Sequence, residues 1–567
     1  MSAYSQFPQD LDADTLSGTP PTTTSSQQLL IQHDSLRIYY VAAVACTGGL
    51  LFGYDSGVIG GVLTFPSFAH SFYPDTSTST SQSETNINAL AVATQQAGAL
   101  LGCLLIWPVT NTLGRRKALT LCSIIFCIGV LFEILTSHSL PLFYAGRIIA
   151  GLGVGGSATV APIYLAEMSP PHLRGRLGSG YQFTFTIGIF ASYWIDYAFQ
   201  MLVNDESAAQ WRIPLALQLA PGVLMGAGML SLPESVRWLL GRGYAHTHEA
   251  WKSLIWVRGG DEGGGVRVGN EFAEMKRAVH RDTQESVDFH PRELLLRPNR
   301  HRIFLAVSLF IAQQATGATA MAYFGPQFFS ILVNAQPSAT EASTNSLTLL
   351  LTGIFGALKV LSCLLFILFI ADRFGRRPLL ILGALGMAVC MIATSVLVHS
   401  MPTQGQNPST TTVTSLSPRS LLTILLIYLF IAIYNTSWGP LPWPLVAELF
   451  PTRTRSSGVA LAVASQWASN FVWSFATPYL LRDVGANTFL LFGGVCVGVA
   501  GFVALCVPET RGLSLEEVQG LFGGVDGGDD GDGNDEEWEG LVGGSGSGSG
   551  TGYHGEGSVD VNEEDRK

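Results

Sequence analysis

The sequence predicts an all-α membrane protein of twelve transmembrane helices, arranged as two six-helix bundles with a cytoplasmic helical linker between them. Three observations predict it. Of 567 residues, 47% are hydrophobic and only 13% charged, a balance unlike that of a soluble enzyme or a disordered chain. Apolar runs of roughly twenty residues, the length that crosses a bilayer, recur along the chain. The pattern of the first half then repeats in the second.

In chain order, the apolar runs place helices near 38–62, 88–110, 118–137, 141–164, 178–199 and 212–232, and again near 303–330, 347–371, 378–399, 420–447, 456–480 and 486–507. The connections sort by charge. One set carries "GRRK" (114–117), "RGR" (174–176), a long charged loop from about Arg237 to Arg302, "DRFGRR" (372–377), "RTR" (453–455) and Arg511. The alternate connections near 66–86, 137–140, 200–210 and 331–346 hold no Lys or Arg, and those near 400–419 and 481–485 hold one Arg each. By the positive-inside rule both termini and the long loop are expected on the cytoplasmic side, in the plasma membrane.

The expected organisation is a disordered cytoplasmic tail (1–37), an amino-terminal bundle (38–235), a cytoplasmic helical linker (236–302), a carboxy-terminal bundle (303–508) and a mostly disordered cytoplasmic tail (509–567). Residues 1–36 are polar and lack the basic start and apolar core of a cleavable signal, so the first helix is expected to serve as its own insertion signal. The net charge of −11 comes largely from the tails, and "GGVDGGDDGDGNDEEWEG" has too few apolar groups to fold.

All eight cysteines fall inside the predicted spans and none forms a CxxC pair, which argues against a disulfide framework or a zinc site. No nucleophile constellation, phosphate loop or metal cluster is legible, so an enzyme is not expected, nor a cofactor, a metal or a nucleic-acid partner. The expected partners are a small-molecule substrate, the proton and the lipid bilayer, with the chain working as a monomer.

The repeat is specific. "LGRRK" recurs as "FGRRP", "PIYLAEMSPPHLRGRLGS" as "PWPLVAELFPTRTRSSG", and "LPES" as "VPET"; Glu167 and Arg174 are seven residues apart, as are Glu448 and Arg455. Two six-helix units in the same orientation imply an axis along the membrane normal and a central site open alternately to each side. Inside the first span, "FGYDSGVIGG" buries Asp55 among apolar residues. A carboxylate at membrane depth costs at least about 2.5 kcal/mol and is expected to face a cavity or a partner. Arg147 in the fourth span is the candidate partner. Near Arg147 the acid stays ionised; separated from it, the acid takes up a proton. The bland alternative is a structural ion pair locking two helices.

These residues, with "GRIIAGLGVGG" (146–156), "LPESVRWLL" (232–240), "QQATGATAMAYFGP" (313–326), "DRFGRR" (372–377), "GPLPWPLVAELFP" (439–451) and "VPETRGLSLEEV" (507–518), give a clear resemblance. Over about residues 38–515 the chain resembles a sugar porter of the major facilitator superfamily, most like the fungal hexose and quinate-type permeases. The resemblance implies the major facilitator fold and alternating-access transport of a monosaccharide or related polyol. Proton-coupled members have Asp at the place of Asp55, whereas facilitators commonly have an uncharged residue.

A polyol site needs amides and hydroxyls that donate and accept, with aromatic faces against ring carbons. Gln313 and Gln314 in the seventh span, Gln466, Trp467 and Asn470 in the eleventh, Gln182 in the fifth and Trp443 in the tenth supply them, and the resemblance implies that these matching positions line the substrate site. For the two glutamines substrate contact is favoured over bonding between helices; for the tryptophans, packing or interface anchoring weighs nearly as much.

The chain departs from the family pattern in three places. Thr319 stands where many sugar porters have Asn. Asn111 and Thr112 replace Asp and Arg in the first cytoplasmic motif, although Asp372 and Arg373 retain them in the second. Lys359 sits thirteen residues before Asp372, about 20 Å up the helix and near mid-membrane. Lys there is typical of the quinate-type relatives, including members assigned to sugars. It could pair with an anionic substrate, hydrogen-bond a neighbouring helix, or ride neutral.

The cytoplasmic motifs, Arg115, Arg116, Glu167, Arg174, Glu234 and Arg237 in one half and Asp372, Arg376, Arg377, Glu448, Arg455 and Glu509 in the other, are expected to form interhelical ion pairs that hold an inner gate shut; topology determination alone would leave the glutamates unexplained. Gly146, Gly151, Gly153 and Gly155 are expected to allow close helix packing. Secondary transport by proton symport is therefore the leading expectation. A passive facilitator, a quinate permease and a transporter-like nutrient sensor are the alternatives.

Overall fold

Every predicted span is a helix or a short series of helices. The structure, a computed structural model, describes residues 36–73, 81–136, 138–170, 173–258, 265–287, 297–333, 341–370, 373–400, 418–450 and 452–510. The tails and Asp372 lie outside the described residues, and so do the side chains of Arg174 and Arg455. The first six spans are α1 (Leu36–Val62), α3 (Ser81–Leu113), α4 (Arg115–Leu135), α5 (Leu140–Met168), α6 (Arg174–Leu202) and the pair α7 (Ala209–Ala216) and α8 (Leu219–Ser231), with short α2 (Pro66–Phe72) between the first two. Three linker helices follow: α9 (Val236–Gly241), α10 (Thr247–Arg258) and α11 (Gly265–Val287).

The second six begin with a broken span, α12 (Arg297–Ala315), α13 (Ala318–Tyr323) and α14 (Gly325–Val333). Next come α15 (Glu341–Leu365) and α16 (Arg376–His399), a second broken span of α17 (Pro418–Asn435) and α18 (Pro442–Leu449), then α19 (Thr452–Asp483) and α20 (Asn487–Cys506). No strand occurs among the described residues.

Nine stretches among the described residues are both long and apolar enough to cross a membrane. The three predicted spans that fall short are α6, the α12–α14 series and α19. Their sequences explain it: α6 and α19 carry amides and hydroxyls along their length, and the seventh span is interrupted at Gly317. In hydrocarbon such groups must face the protein interior. Leu105, Leu230, Leu382 and Leu425, by contrast, lie exposed on the outside, as side chains meeting lipid should.

The breaks are stabilised locally. Gly317 adopts the left-handed conformation (φ +87°) that ends α12 and starts α13. Between α17 and α18 the freed carbonyls of Trp438 and Gly439 accept hydrogen bonds from Gln313 Nε2 at 2.8 and 3.1 Å, while Trp438 Nε1 donates to Leu380 O at 2.9 Å. Elsewhere backbones press together. A Cβ at Gly151 or Gly155 would stand 2.2 or 2.0 Å from the Gln95 or Ala99 carbonyl of α3, so the expected packing role of these two glycines is met by close approach of α5 to α3.

Candidate functional site

One central cleft gathers side chains from α1, α6, α12, α13, α15, α17, α18 and α19, and it encloses about 640 Å³ of space free of atoms, its open mouth included. All nine residues expected to meet substrate line it: Gln182, Gln313, Gln314, Thr319, Lys359, Trp443, Gln466, Trp467 and Asn470. Ser56, Tyr323, Tyr434 and Asn435 add polar groups that the sequence reading missed, and Phe52 and Phe185 add aromatic faces, their rings 4.6 Å apart. Tyrosines and asparagines in spans carry no distinctive pattern, which is why these escaped notice.

The two glutamines divide their work. Gln313 spends its amide nitrogen on the α17–α18 break, and its oxygen receives Gln466 Nε2 at 3.5 Å. It therefore bonds between helices to a greater degree than expected, because the broken backbone presents carbonyls that need a donor. Gln314 accepts from Thr319 Oγ1 at 2.7 Å and keeps its Nε2 without a partner among the described residues. Thr319 thus organises Gln314. Trp443 packs edge-on to Phe310, and Trp467 lies 5.2 Å from Phe52 with its indole N–H unpartnered. Lys359 is buried, its ammonium 5.7 Å from the centre of the Phe185 ring, and among the described residues no carboxylate lines the cleft with it.

Asp55 and Arg147 lie one layer behind the cleft, both fully buried and paired at 2.7 Å. Arg147 also donates to Ala91 O and to Gln95 Oε1, each at 3.0 Å. Gln96 Nε2 donates to Gln95 Oε1 at 3.0 Å and to Tyr323 Oη at 2.8 Å. Tyr323 lies within 3.5 Å of Asn470 Nδ2 and 3.4 Å of Ser56 Oγ. A continuous run of polar contacts therefore joins the ion pair to the cleft. Two further buried acids, Glu133 in α4 and Asp196 in α6, were also missed; each sits in a predicted span, and the reasoning that singled out Asp55 would have found them.

At the end carrying the Arg-rich loops, the two halves build the same cluster. Arg115 pairs with Glu167 at 3.0 Å, and Arg376 pairs with Glu448. Glu234 accepts from the backbone N–H groups of Arg115 and Arg116 at 2.9 and 3.1 Å, capping α4; Glu509 accepts from those of Arg376 and Arg377 at 3.0 and 3.1 Å, capping α16. A side chain at Gly114 or Gly375 would collide with these carboxylates.

The expected ion pairs need correction here. Arg116 and Arg377 turn their guanidinium groups to the carbonyls of Leu232 and Ala504, because the nearby glutamates are already held by helix ends. The Arg237 side chain makes no hydrogen bond or ion pair to another described residue. Arg115–Glu167 and Arg376–Glu448 each lie within one half, so these two pairs fasten the helices of a half to one another. At Asn111 and Thr112, linker residues compensate: Trp238 Nε1 and Arg242 Nη2 donate to their carbonyls at 3.1 and 3.3 Å.

At the opposite end the halves do meet. Tyr479 on α19 donates to Asn86 Oδ1 on α3 at 2.9 Å, Arg482 reaches Gln82, and Tyr193 on α6 donates to Ala322 O.

A two-fold repeated helical bundle with a polar cleft between its halves and a buried ion pair behind it is the architecture of the major facilitator fold. Residues 41–522 match the family described as "Sugar (and other) transporter", and the chain belongs to that family. It is 32% identical over 492 residues to a probable quinate permease of Aspergillus niger, covering 86% of this chain and 88% of that one. It is also 32% identical over 498 residues to the quinate permease of Emericella nidulans, with the same coverage. Among solved structures, the proton:xylose symporter XylE bound to 6-bromo-6-deoxy-D-glucose is 27% identical with a TM-score of 0.68, over 86% of this chain and 100% of that one. The inward-open xylose transporter XylE from E. coli is 28% identical with a TM-score of 0.67, over 85% and 99%.

Proposed function

We propose that the protein imports a monosaccharide or related polyol by proton symport, through alternating access of the cleft. The observation that carries this reading is the cleft itself: six amide side chains and several hydroxyls face Phe52, Phe185, Trp443 and Trp467, the mixture that a hydroxyl-studded ring requires. Asp55 is the proton acceptor and Arg147 its partner. With Asp55 ionised the pair is closed; protonation releases Arg147, and the Gln95–Gln96–Tyr323 contacts carry that change to the cleft.

In this reading the Arg-rich end is cytoplasmic, in the plasma membrane, and a single chain suffices. The repeated clusters keep each half rigid while the halves rock. Names of the relatives support the reading, since they include quinate permeases and a proton:xylose symporter.

A second reading is favoured by one observation. Lys359 brings a cation to a cleft with no carboxylate lining, so a polyhydroxy acid such as quinate would place its carboxylate there. The test is external alkalinisation when individual sugars or quinate are added to hexose-transport-deficient yeast expressing the chain, with Asp55→Asn and Lys359→Met alongside. Alkalinisation lost in Asp55→Asn is expected. A loss in Lys359→Met confined to quinate would select the acid, and labelled uptake without alkalinisation would leave a facilitator.

A further inference from the structure

Glu133 stands in α4 with no exposed surface, and among the described residues neither of its oxygens meets hydrogen-bond geometry, the amide of Gln218 lying beside it. Its Oε1 lies 3.8 Å from Arg147 Nη1, the same nitrogen that donates to Asp55 Oδ1 at 2.7 Å. One guanidinium nitrogen thus faces two acids. Nε and Nη2 of Arg147 donate to Ala91 O and Gln95 Oε1, while Asp55 Oδ2 has no hydrogen-bond partner among the described residues. Room for the second acid is provided by Gly146, where a Cβ would approach the Glu133 side chain to 2.9 Å. The charged groups facing Glu133 are Arg147 from α5 and Asp55 from α1, and the neutral Gln218, between α7 and α8, lies beside it.

Two carboxylates enclosed with one guanidinium balance their charge when they hold a single proton between them. From this geometry we propose that Glu133 is the alternate partner of Arg147: it takes over the guanidinium when Asp55 is protonated, so that the released cation is never left unpaired. A shift of about 1 Å brings Nη1 from its present 3.8 Å to an ordinary charge-assisted distance. The only covalent change is at the proton: Asp55 gains one O–H bond as Glu133 loses one. The proton sits on Glu133 while Arg147 holds Asp55, and on Asp55 while Arg147 holds Glu133. Because Nη2 is bonded to Gln95, the shift pulls on Gln95 and Gln96 and through them on Tyr323 in the cleft. Glu133 is a positioning residue that acts through Arg147.

This inference deepens the symport reading and rests on it for its meaning, but its first test needs no transport. Thermal unfolding of the purified full-length chain is measured for Asp55→Asn, Glu133→Gln and the double variant. Each single variant leaves Arg147 one carboxylate, so small losses are expected, with the double variant falling well below their sum. A double variant no worse than Asp55→Asn alone would overturn the proposal.

The second arm measures protons per molecule of labelled quinate or D-xylose taken up, corrected for surface expression. Glu133→Gln is expected to keep substrate exchange while its protons per substrate fall by more than about tenfold, because protonating Asp55 now strands a buried cation. Exchange and proton movement falling together, at an unchanged ratio, would make Glu133 a structural acid and sink the idea. If the wild type itself moves no protons, the symport reading fails, and the unfolding cycle still decides whether Arg147 has two partners.

Discussion

In the first six spans α1, α4, α5 and α6 are unbroken and hold three buried carboxylates with Arg147; in the second six, the seventh and tenth spans are interrupted, and the buried charge beside the cleft is Lys359. The Arg-rich ends are the same in both halves, down to a glutamate capping the helix that follows each glycine. One half thus holds the buried acids and their arginine, and the other holds broken helices whose freed carbonyls and amides border the cleft. A duplicated fold can keep its fastening and let its middles diverge, because the fastening is set by helix ends and the middles by single buried side chains.

Arg147→Met should break this comparison most severely. It leaves Asp55 and Glu133 buried without a cation, and removing one partner of a buried pair costs about 3–5 kcal/mol. Loss of folded protein at the membrane, read by surface labelling and by unfolding temperature, is the expected outcome. Normal expression would mean that both acids are held neutral without Arg147, and the amino-terminal half would then be no more charged in effect than the other.

The corresponding weak point of the second half is the break at Gly317. Gly317→Ala forces a side chain into a left-handed position with its Cβ 2.6 Å from the Phe492 ring. A cost of about 1–3 kcal/mol follows from the backbone strain alone. It should appear as slowed transport together with a lower unfolding temperature. An unaffected rate would show that the break between α12 and α13 does not move.

Legibility in the sequence followed the same division. The spans were readable because a bilayer demands about twenty apolar residues, and the repeat because paired motifs recur at equal spacing. The nine cleft residues were readable as amides, indoles, a threonine and a lysine inside apolar runs. The breaks were not, since "GPLPWP" leaves open where a helix stops until Gln313 is seen capping the freed carbonyls. Glu133 and Asp196 stood in plain view in "LFEIL" and "YWIDY", but only three dimensions show that Glu133 reaches the arginine already matched to Asp55. Arg116 and Arg377 were assigned to ion pairs because spacing gives proximity, and proximity does not reveal that a helix end has taken the acid first.

The smallest effect tests the likeness of the halves rather than their difference. Glu167→Gln and Glu448→Gln remove equivalent partners from Arg115 and Arg376. These pairs are partly exposed, with glutamate side chains 14% and 26% accessible, so each is worth about 1 kcal/mol or less. Glu167 also accepts from Ser235 Oγ at 2.5 Å, whereas Glu448 receives Thr510 Oγ1 at 3.2 Å. The amino-terminal variant should therefore unfold at a slightly lower temperature than its counterpart, with both close to wild type. A much larger loss from Glu448→Gln would mean that the second cluster bears load the first does not, and that Trp238 and Arg242, which bond the backbone at Asn111 and Thr112, share the work of Arg115 in the first half alone.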